Sequence, residues 1–210
     1  IKPSGVGSRA SPFLVSSIYH LNWISENSSY WKSYIPGATA QVHYKQVSNI
    51  DAYNTRFWNN GEGFKPIGSY AQGKPFSGNY NGNGNKIIDL YINRPNENNV
   101  GFFGWFYEPS NKATVYNLKL ENIQIAGSNN VGGLIGRDAY VNIYGISVSG
   151  KINGMTNVGS IVGSGDNDVI SNSYSLAEIS GVDNVGGIAG YSNRVNLFHS
   201  YVAGKITSSS

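Results

Sequence analysis

The sequence predicts an all-β protein, a parallel β-solenoid (β-helix) of roughly six coils with ~27-residue repeats and a short N-terminal helical cap. Three observations lead to this fold: a segment that recurs at a fixed interval, short stretches in which apolar and polar residues alternate, and a composition rich in glycine and asparagine. Glycine and asparagine each occur 27 times among 210 residues, and both are poor helix formers. A coiled coil or helical bundle is therefore excluded as the main architecture.

The recurring segment is an asparagine, a valine and a glycine, followed by a short apolar stretch that ends in glycine. It begins at Asn130, Asn157 and Asn184, so the step is 27 residues both times. Such a period is typical of solenoids, whereas the blade of a propeller needs about 40–45 residues. An isoleucine recurs in the same phase, at Ile125, Ile152, Ile179 and Ile206. Because alternating stretches such as Ile146-x-Val148 indicate strands, each coil is predicted to add one strand per face.

Two residue types of the repeat have predicted roles in each coil. Turns between faces need a positive φ, which glycine adopts without strain and asparagine tolerates. Asparagines at one corner are expected to form a ladder of side-chain hydrogen bonds, while valine, leucine and isoleucine point inward. A diverged copy of the segment at residues 99–104 indicates an earlier coil. Tyr174 and Tyr201, also 27 residues apart, are expected to stack on one another.

Three segments follow from this pattern: an N-terminal segment at 1–37, diverged first coils at 38–106, and regular repeat coils at 107–210. The N-terminal segment is expected to contain an amphipathic helix, because a solenoid needs a cap over the open end of its apolar core. The helix is predicted from apolar residues at helical spacing, namely Leu14, Ile18, Leu21 and Ile24.

Composition restricts the class of protein. Without cysteine, a disulfide framework and a thiolate metal site are excluded. The net charge is only +3 and the 15 basic residues are scattered, so a nucleic-acid partner is not expected. No stretch approaches the ~18 apolar residues of a membrane span. Few charges and abundant Asn, Ser, Gly and Tyr favour an extracellular or cell-surface protein. The chain opens on Ile1 and its only methionine is Met155, so we expect a processed or excised piece.

The repeat resembles the GLUG motif of bacterial and archaeal surface (adhesin-like) exoproteins, which is named for a G-L-hydrophobic-G core. Residues 133–136 and 187–190 match this core, and Ser160 replaces the first glycine in the middle copy. The upstream stretches at 21–25, 58–68 and 76–94 are similar to the segment that precedes GLUG repeats. The resemblance covers about residues 14–208. It implies an exported surface role without naming a ligand.

Four oxygen-bearing residues are candidate ligands of a structural Ca²⁺, the one cofactor that the sequence suggests. They follow the repeat glycines and are expected to line one corner: Asp138, Asp166, Asp168 and Asn193. The alternative is that they form turns through their side chains. They are also the nearest counterpart of the clustered aspartates that parallel β-helix enzymes use to cut polysaccharides.

The tryptophans are candidate ligand-binding residues, because an indole ring can stack on a sugar ring as an apolar plate with a polar edge. They lie in the N-terminal half, at Trp23, Trp31, Trp58 and Trp105. The alternative is that they fill the wider first coils and pack the cap. Fluorescence quenching of the four side chains would separate these interpretations.

The resulting hypothesis is a non-enzymatic extracellular structural or adhesive module without catalytic residues. A stiff solenoid would self-associate into a fibre or form part of a larger adhesin through the open C-terminal end, where unpaired strand edges invite pairing. Two alternatives are kept. A glycan-binding module would present exposed aromatic residues to cell-surface glycans. A polysaccharide-degrading β-helix enzyme would bring Asp138, Asp166 and a lysine or arginine together.

Overall fold

The computed structural model describes residues 1–35, 40–110 and 113–209. In these ranges the chain forms an all-β fold of parallel sheets with one α-helix, α1 (Ile18–Glu26), and three short 3-10 helices at Ser28–Tyr30, Tyr53–Phe57 and Asn59–Gly61. The predicted boundary between residues 37 and 38 lies outside the described residues. The division of the chain into three segments stays a prediction.

The strands in chain order are β1 (Phe13–Val15), β2 (His43–Gln46), β3 (Ile50–Asp51), β4 (Asn79–Asn81), β5 (Lys86–Ile88), β6 (Tyr91–Asn93), β7 (Phe103–Tyr107), β8 (Ala113–Ala126), β9 (Asn129–Gly132), β10 (Ile135–Ala139), β11 (Val141–Asn153), β12 (Thr156–Gly159), β13 (Val162–Asp166), β14 (Val169–Ser171), β15 (Tyr174–Ser175), β16 (Glu178–Gly181), β17 (Asp183–Gly186), β18 (Ala189–Asn193), β19 (Asn196–Phe198), β20 (Tyr201–Val202) and β21 (Ile206–Ser208).

These strands build three parallel sheets along one axis. The largest sheet follows the path β1-β2-β4-β8-β11-β14-β19, the second follows β7-β10-β13-β18, and the third follows β9-β12-β17. β11 lies beside β8 and pairs with it at eleven positions. In the next coil, three shorter strands take the place of one long strand, and β11 pairs with each of them: β14, β15 and β16. Because the sheets contain different numbers of strands along the axis, the figure of roughly six coils stays a prediction.

The period of the sequence equals the register between coils. Val158 pairs with Val131 in the preceding coil and with Val185 in the following coil, at 27 residues on each side. The spacing is longer upstream, where Phe103 lies opposite Ile135, 32 residues on. Longer coils enclose a wider interior, and this interior is filled mainly by buried aromatic rings in the first half of the chain: Phe13, Tyr44, Phe64, Phe76, Tyr80, Phe102, Phe103 and Phe106. Later coils are filled by valine, leucine and isoleucine.

The corner of the repeat is made by its asparagine. The asparagines of the four copies have φ between 53° and 60°, in the left-handed region, at Asn99, Asn130, Asn157 and Asn184. The expectation that the motif glycines supply this conformation is wrong, because none of those glycines has a positive φ. Close approach explains them instead. A Cβ on Gly159 would lie 2.2 Å from the carbonyl oxygen of Val162, a distance that only glycine avoids.

The predicted asparagine ladder is confirmed. The Nδ2 atom of Asn130 donates to Oδ1 of Asn99 at 2.8 Å, and Asn157 donates to Asn130 at the same distance. Asn184 continues the series by donating to Asn157 at 2.9 Å. Each amide therefore joins its own coil to the preceding coil. The predicted stack of Tyr174 on Tyr201 is also present, with ring centroids 5.2 Å apart and an angle of 5° between the planes.

The N-terminal end of the solenoid is covered. Helix α1 begins after Ser17, whose side chain accepts a hydrogen bond from the backbone N–H of His20, and it buries Leu21 and Ile24. Leu14 does not belong to the helix as its spacing suggested, because it lies in β1 and pairs with Lys45. On the other side of β1, the N–H of Leu14 donates to the carbonyl oxygen of residue 4 at 2.8 Å.

The last coil is open by comparison. Among the described residues, strands β17 to β21 pair only with strands of the preceding coil. Apolar side chains of this coil are about half exposed, with 50% for Leu197, 51% for Phe198 and 47% for Ile206. Within the part of the chain that the structure describes, no helix has the length and apolar character needed to cross a bilayer.

Candidate binding groove on the four-stranded sheet

The outer face of the sheet β7-β10-β13-β18 carries aromatic, basic, acidic and amide side chains together. Alternation within each strand sends every second side chain outward. One outward row runs across the strands in register, through Trp105, Arg137, Ser164 and Tyr191. A second row, two residues further along each strand, includes Tyr107 opposite Ala139, and Asp166 opposite Asn193. Together with Tyr70 these rows line a groove of about 410 Å³.

The end of the groove at β7 is aromatic. The rings of Trp105 and Tyr107 are stacked with centroids 5.8 Å apart and planes at 21°. Tyr70 meets Trp105 edge-on at 5.0 Å. Tyr70 lies on a tight turn that is closed by two backbone hydrogen bonds between Ser69 and Lys74. Three aromatic side chains from a turn and a strand therefore form a half-buried shelf.

The guanidinium of Arg137 lies over this shelf. Its Cζ atom is 4.6 Å from the centroid of the Tyr70 ring, a cation–π distance. Among the described residues, Arg137 forms no ion pair with a carboxylate. Its donors are thus oriented by an aromatic ring and stay free for a ligand.

The other end of the groove is polar. The side-chain amide of Asn193 donates to Oδ1 of Asp166 at 2.9 Å, which couples neighbouring coils. Arg194 Nε is 3.9 Å from the same oxygen. The Asp166 side chain is 39% exposed and that of Arg194 69% exposed, so this pair contributes little to stability. Asp166 keeps acceptor capacity that faces the groove.

A pair of carboxyl groups lies behind the sheet, in the interior. Asp138 is 3% exposed and Asp168 is 1% exposed. The backbone N–H of Val141 donates to Oδ1 of Asp168 at 2.9 Å. Both oxygens of Asp138 and the Oδ2 of Asp168 have no hydrogen-bond partner among the described residues. Gly165 leaves the room for this pair, because a Cβ there would lie 2.6 Å from Asp168 Oδ2 and 2.9 Å from Asp138 Oδ1.

Burial controls the protonation of this pair. Desolvation, reinforced by the neighbouring Asp168 charge, raises the pKa of Asp138 well above its ordinary range. Desolvation also raises the pKa of Asp168 to about 6, although the hydrogen bond from Val141 opposes this shift. Two carboxylates in one buried site cannot both ionise cheaply. A proton shared between the two carboxyls would give two of the three unpartnered oxygens a hydrogen bond.

The four predicted Ca²⁺ ligands lie near one another at the same end of this sheet, but their side chains do not face one site. Asp138 and Asp168 point into the interior, whereas Asp166 and Asn193 face the groove. Parity separates Asp138 from Asp166, whereas Asp168 lies beyond the end of β13, after the left-handed turn at Asn167 (φ 56°). Asp138 follows its repeat glycine by two residues and Asp166 follows its glycine by three, and one residue turns a strand side chain to the opposite face. In the described ranges, no three His, Cys, Asp or Glu residues are placed to hold a metal ion together.

The four tryptophans also have different environments. Trp31 is buried and its Nε1 donates to the carbonyl oxygen of Ile24 at 2.6 Å. Trp23 and Trp58 are partly buried and pack against the apolar core. Trp105 alone of the four lies in the groove. These positions agree with a packing role for three of the tryptophans. Trp105 is the one that remains a candidate ligand-binding residue.

Sequence reasoning missed three residues of the groove. Arg137 and Tyr191 are in phase with Ser164 at the 27-residue step, so the period could have placed these three in one row. Trp105 joins the row at the longer spacing of 32 residues, which the period does not give. Tyr70 gives no such signal, because it reaches the groove from a turn outside the repeat.

Known proteins include relatives of this chain and a solved structure of similar fold. No family model matches the chain, so membership of a GLUG family stays a prediction. Halomucin of Haloquadratum walsbyi is 31% identical over 155 residues, which are 71% of this chain and 2% of halomucin. A protein of Evansella cellulosilytica, named provisionally as a Gly-rich membrane protein, is 30% identical over 147 residues, which are 69% of this chain and 15% of that protein. The chain thus spans a small part of either relative.

The fold resembles that of one solved structure. A crystal structure from Bacteroides ovatus, titled as a candidate immunoglobulin A1 protease, superimposes with a TM-score of 0.71. The match covers 96% of this chain and 59% of that chain at 20% sequence identity. At this identity the likeness shows the fold alone.

Proposed function

We propose that the chain is a non-enzymatic structural module of an extracellular surface protein, in which stacked coils act as a stiff spacer. The register of the coils carries this proposal: the 27-residue step joins valines, asparagines and isoleucines of successive coils in line. Every coil is tied to its neighbour by backbone and side-chain hydrogen bonds, and each rung adds ~4.8 Å to the rod.

The location is supported by the relatives. One is named as a halomucin and one as a membrane protein, and the chain is 2% and 15% of their lengths. Both proportions suit a module within a much longer protein. An antibody against the purified chain should label intact cells of the source organism, and external protease should remove the label. Labelling that requires permeabilised cells would contradict the surface location.

We further propose that the last coil pairs either with a second copy of the chain or with neighbouring repeats of a longer protein, and the purified chain tests the first of these. Strands β17 to β21 offer unpaired edges beside the exposed Leu197 and Phe198, and such edges invite pairing. The N-terminal end is covered by α1 and by the bond from Leu14 to residue 4. A single joint gives a dimer, whereas a fibre requires a second joint. Light scattering and negative-stain electron microscopy over a range of concentrations test this. A dimer that Phe198→Asp dissociates is expected, and filaments or a monomer at every concentration would contradict it.

We also propose that the chain has no catalytic activity. Asp138 and Asp168 are buried in the interior, where a polysaccharide cannot reach them. Glycoside hydrolases need two carboxyl groups on either side of the bond to be cut, about 5–9.5 Å apart and open to substrate. Asp166 does lie in the groove near Arg194, but Asp138 faces away from it. A lack of reducing-end release from a panel of polysaccharides is the expected result.

Carbohydrate binding is a second candidate function. The observation that favours it is the groove in which Trp105 meets Arg137, Asp166 and Asn193. Aromatic faces beside planar polar side chains are suited to the apolar faces and hydroxyl edges of sugars.

A further inference from the structure

The groove has the dimensions of an extended ligand. Its first row crosses four neighbouring strands from Trp105 to Tyr191, which corresponds to about 14 Å at the ordinary strand spacing. The row follows the axis of the solenoid, and the groove lies open on the outer face of the sheet. It is therefore longer than a monosaccharide and suited to an internal stretch of a chain.

The aromatic shelf is held in place before a ligand arrives. Trp105 is half-buried, stacked on Tyr107 and braced by Tyr70. Rings that are fixed by neighbours lose little conformational entropy on binding. The shelf thus offers a rigid apolar surface on which the C–H face of a pyranose ring can lie.

The charged side chains exposed in the groove are Arg137 and Asp166. Arg194, 3.9 Å from Asp166, lies outside the lining in an exposed and therefore weak pair. Arg137 contributes one positive charge and a planar set of donors, and Asp166 contributes one negative charge and acceptors. Asn193 supplies both a donor and an acceptor through its amide. An acidic ligand would be attracted by Arg137 but repelled by the exposed Asp166 carboxylate. An uncharged ligand with many hydroxyl groups can use the donors and the acceptors together.

We propose that this groove binds a neutral polysaccharide, with Trp105 stacked on one sugar ring and with Arg137 and Asp166 hydrogen-bonded to hydroxyl groups of the chain. The proposal rests on the second candidate function above and names its ligand class and its residues. It is independent of the surface location and of the joint at the last coil.

Affinity electrophoresis provides the test. The purified chain is run through gels that contain neutral polymers (dextran, β-glucan, mannan or xylan) or acidic polymers (alginate, polygalacturonate or hyaluronate). At least one neutral polymer should retard the chain. Trp105→Ala and Asp166→Ala should each weaken the retardation at least tenfold in apparent dissociation constant, because an aromatic anchor and its polar partner dominate such a contact. Arg137→Gln should weaken it too.

Matched controls separate the groove from the rest of the surface. Tyr144 is exposed and stacked on Tyr116 outside the groove, so Tyr144→Ala should leave retardation unchanged. Arg56 lies 3.7 Å from the ring of Tyr53, and Arg56→Gln is the control for Arg137→Gln. Circular dichroism melting shows that each variant is folded, and if Trp105→Ala is unstable, Trp105→Leu replaces it.

The proposal is overturned by any of three results. These are no retardation by a neutral polymer, stronger retardation by acidic polymers, or retardation that Trp105→Ala leaves intact. None of these results bears on the cell labelling that tests the surface location. A wrong assignment of the ligand can therefore be distinguished from a wrong assignment of the structural role.

Discussion

The Asn157 side chain donates a hydrogen bond to the Asn130 side chain at 2.8 Å, and both residues hold a left-handed backbone with φ of 57° and 56°. One residue type thus performs two tasks at this corner. It tolerates the turn between two strands, and its amide joins the turn to the coil below. Glycine could perform only the first task and most other residues neither.

Two substitutions of Asn157 should therefore separate the contribution of its hydrogen bonds to stability from that of its turn conformation. Asn157→Gly keeps the left-handed turn and removes the bonds to Asn130 and Asn184, which should cost about 1–2 kcal/mol. Asn157→Ala removes the same bonds but keeps a Cβ in the left-handed turn without the polar side chain that lets asparagine tolerate it, so it should cost roughly 1–2 kcal/mol more than the glycine variant. Urea denaturation measures both. An alanine variant more stable than the glycine variant would contradict this division.

The corner glycine should be far less replaceable than its neighbour. Gly159→Ala places a Cβ 2.2 Å from a backbone oxygen, so the chain must shift at a cost of about 3 kcal/mol or more. Ser160→Ala is the control, because it keeps an existing Cβ and removes one hydrogen bond to the Gly187 carbonyl, worth about 1 kcal/mol. Equal losses of stability in the two variants would refute the close-approach explanation.

The buried carboxyl pair should make the protein less stable as pH rises. The unfolded Asp168 carboxyl loses its proton near its ordinary pKa of 3.8, whereas burial raises the folded pKa to about 6. Between these values the folded state holds more protons, so the free energy of unfolding falls with pH. The raised pKa of Asp138 extends this fall to higher pH.

Asp138→Asn isolates the effect, because it keeps the shape of the side chain and removes one of the two ionisable groups. Melting temperatures of the parent chain and the variant, recorded from pH 4 to pH 8, should converge or cross at low pH and separate at neutral pH, with the variant higher. Parallel curves would show that the pair does not share a proton.

Tryptophan emission should report the accessibility of the groove. Trp105→Phe should remove a fraction of the emission that acrylamide quenches, since Trp105 is the tryptophan in the groove. Trp31→Phe should leave the amount of quenchable emission unchanged and lower only the emission that acrylamide does not quench, because Trp31 is 3% exposed. It should also lower stability by about 1–3 kcal/mol, because the carbonyl of Ile24 loses its partner. Equal changes in quenching would mean that Trp105 is covered.

The sequence period predicted which residues of successive coils meet, and this alignment is correct. The asparagine ladder and the stack of Tyr174 on Tyr201 both follow from a step of 27 residues. The period could not predict which face a side chain occupies, since that depends on where each strand begins. Asp138 and Asp166 differ by one residue in their distance from the repeat glycine and lie on opposite faces of the sheet.

The parts outside the repeat were harder to predict. Leu14 continues the helical spacing of Ile18 and Leu21, yet it pairs with Lys45 because the chain is still extended before Ser17 caps the helix. Tyr70 reaches the groove from a turn that only tertiary contacts position. Local spacing holds no information about either contact.

The uneven pairing of the coils has a mechanical consequence. Backbone hydrogen bonds between parallel strands run along the axis of the rod, so a pull on its two ends loads all bonds of one coil boundary together. β8 and β11 meet at eleven positions, whereas β14, β15 and β16 meet the last coil through pairs of three, two and three. By this count the β8–β11 boundary should outlast the boundaries on both sides of it, because β8 meets the preceding strands through pairs of two, three and three, and β11 meets β14, β15 and β16 through pairs of three, two and three. A pull on the two ends of the rod should therefore separate the coils on either side while its centre stays paired.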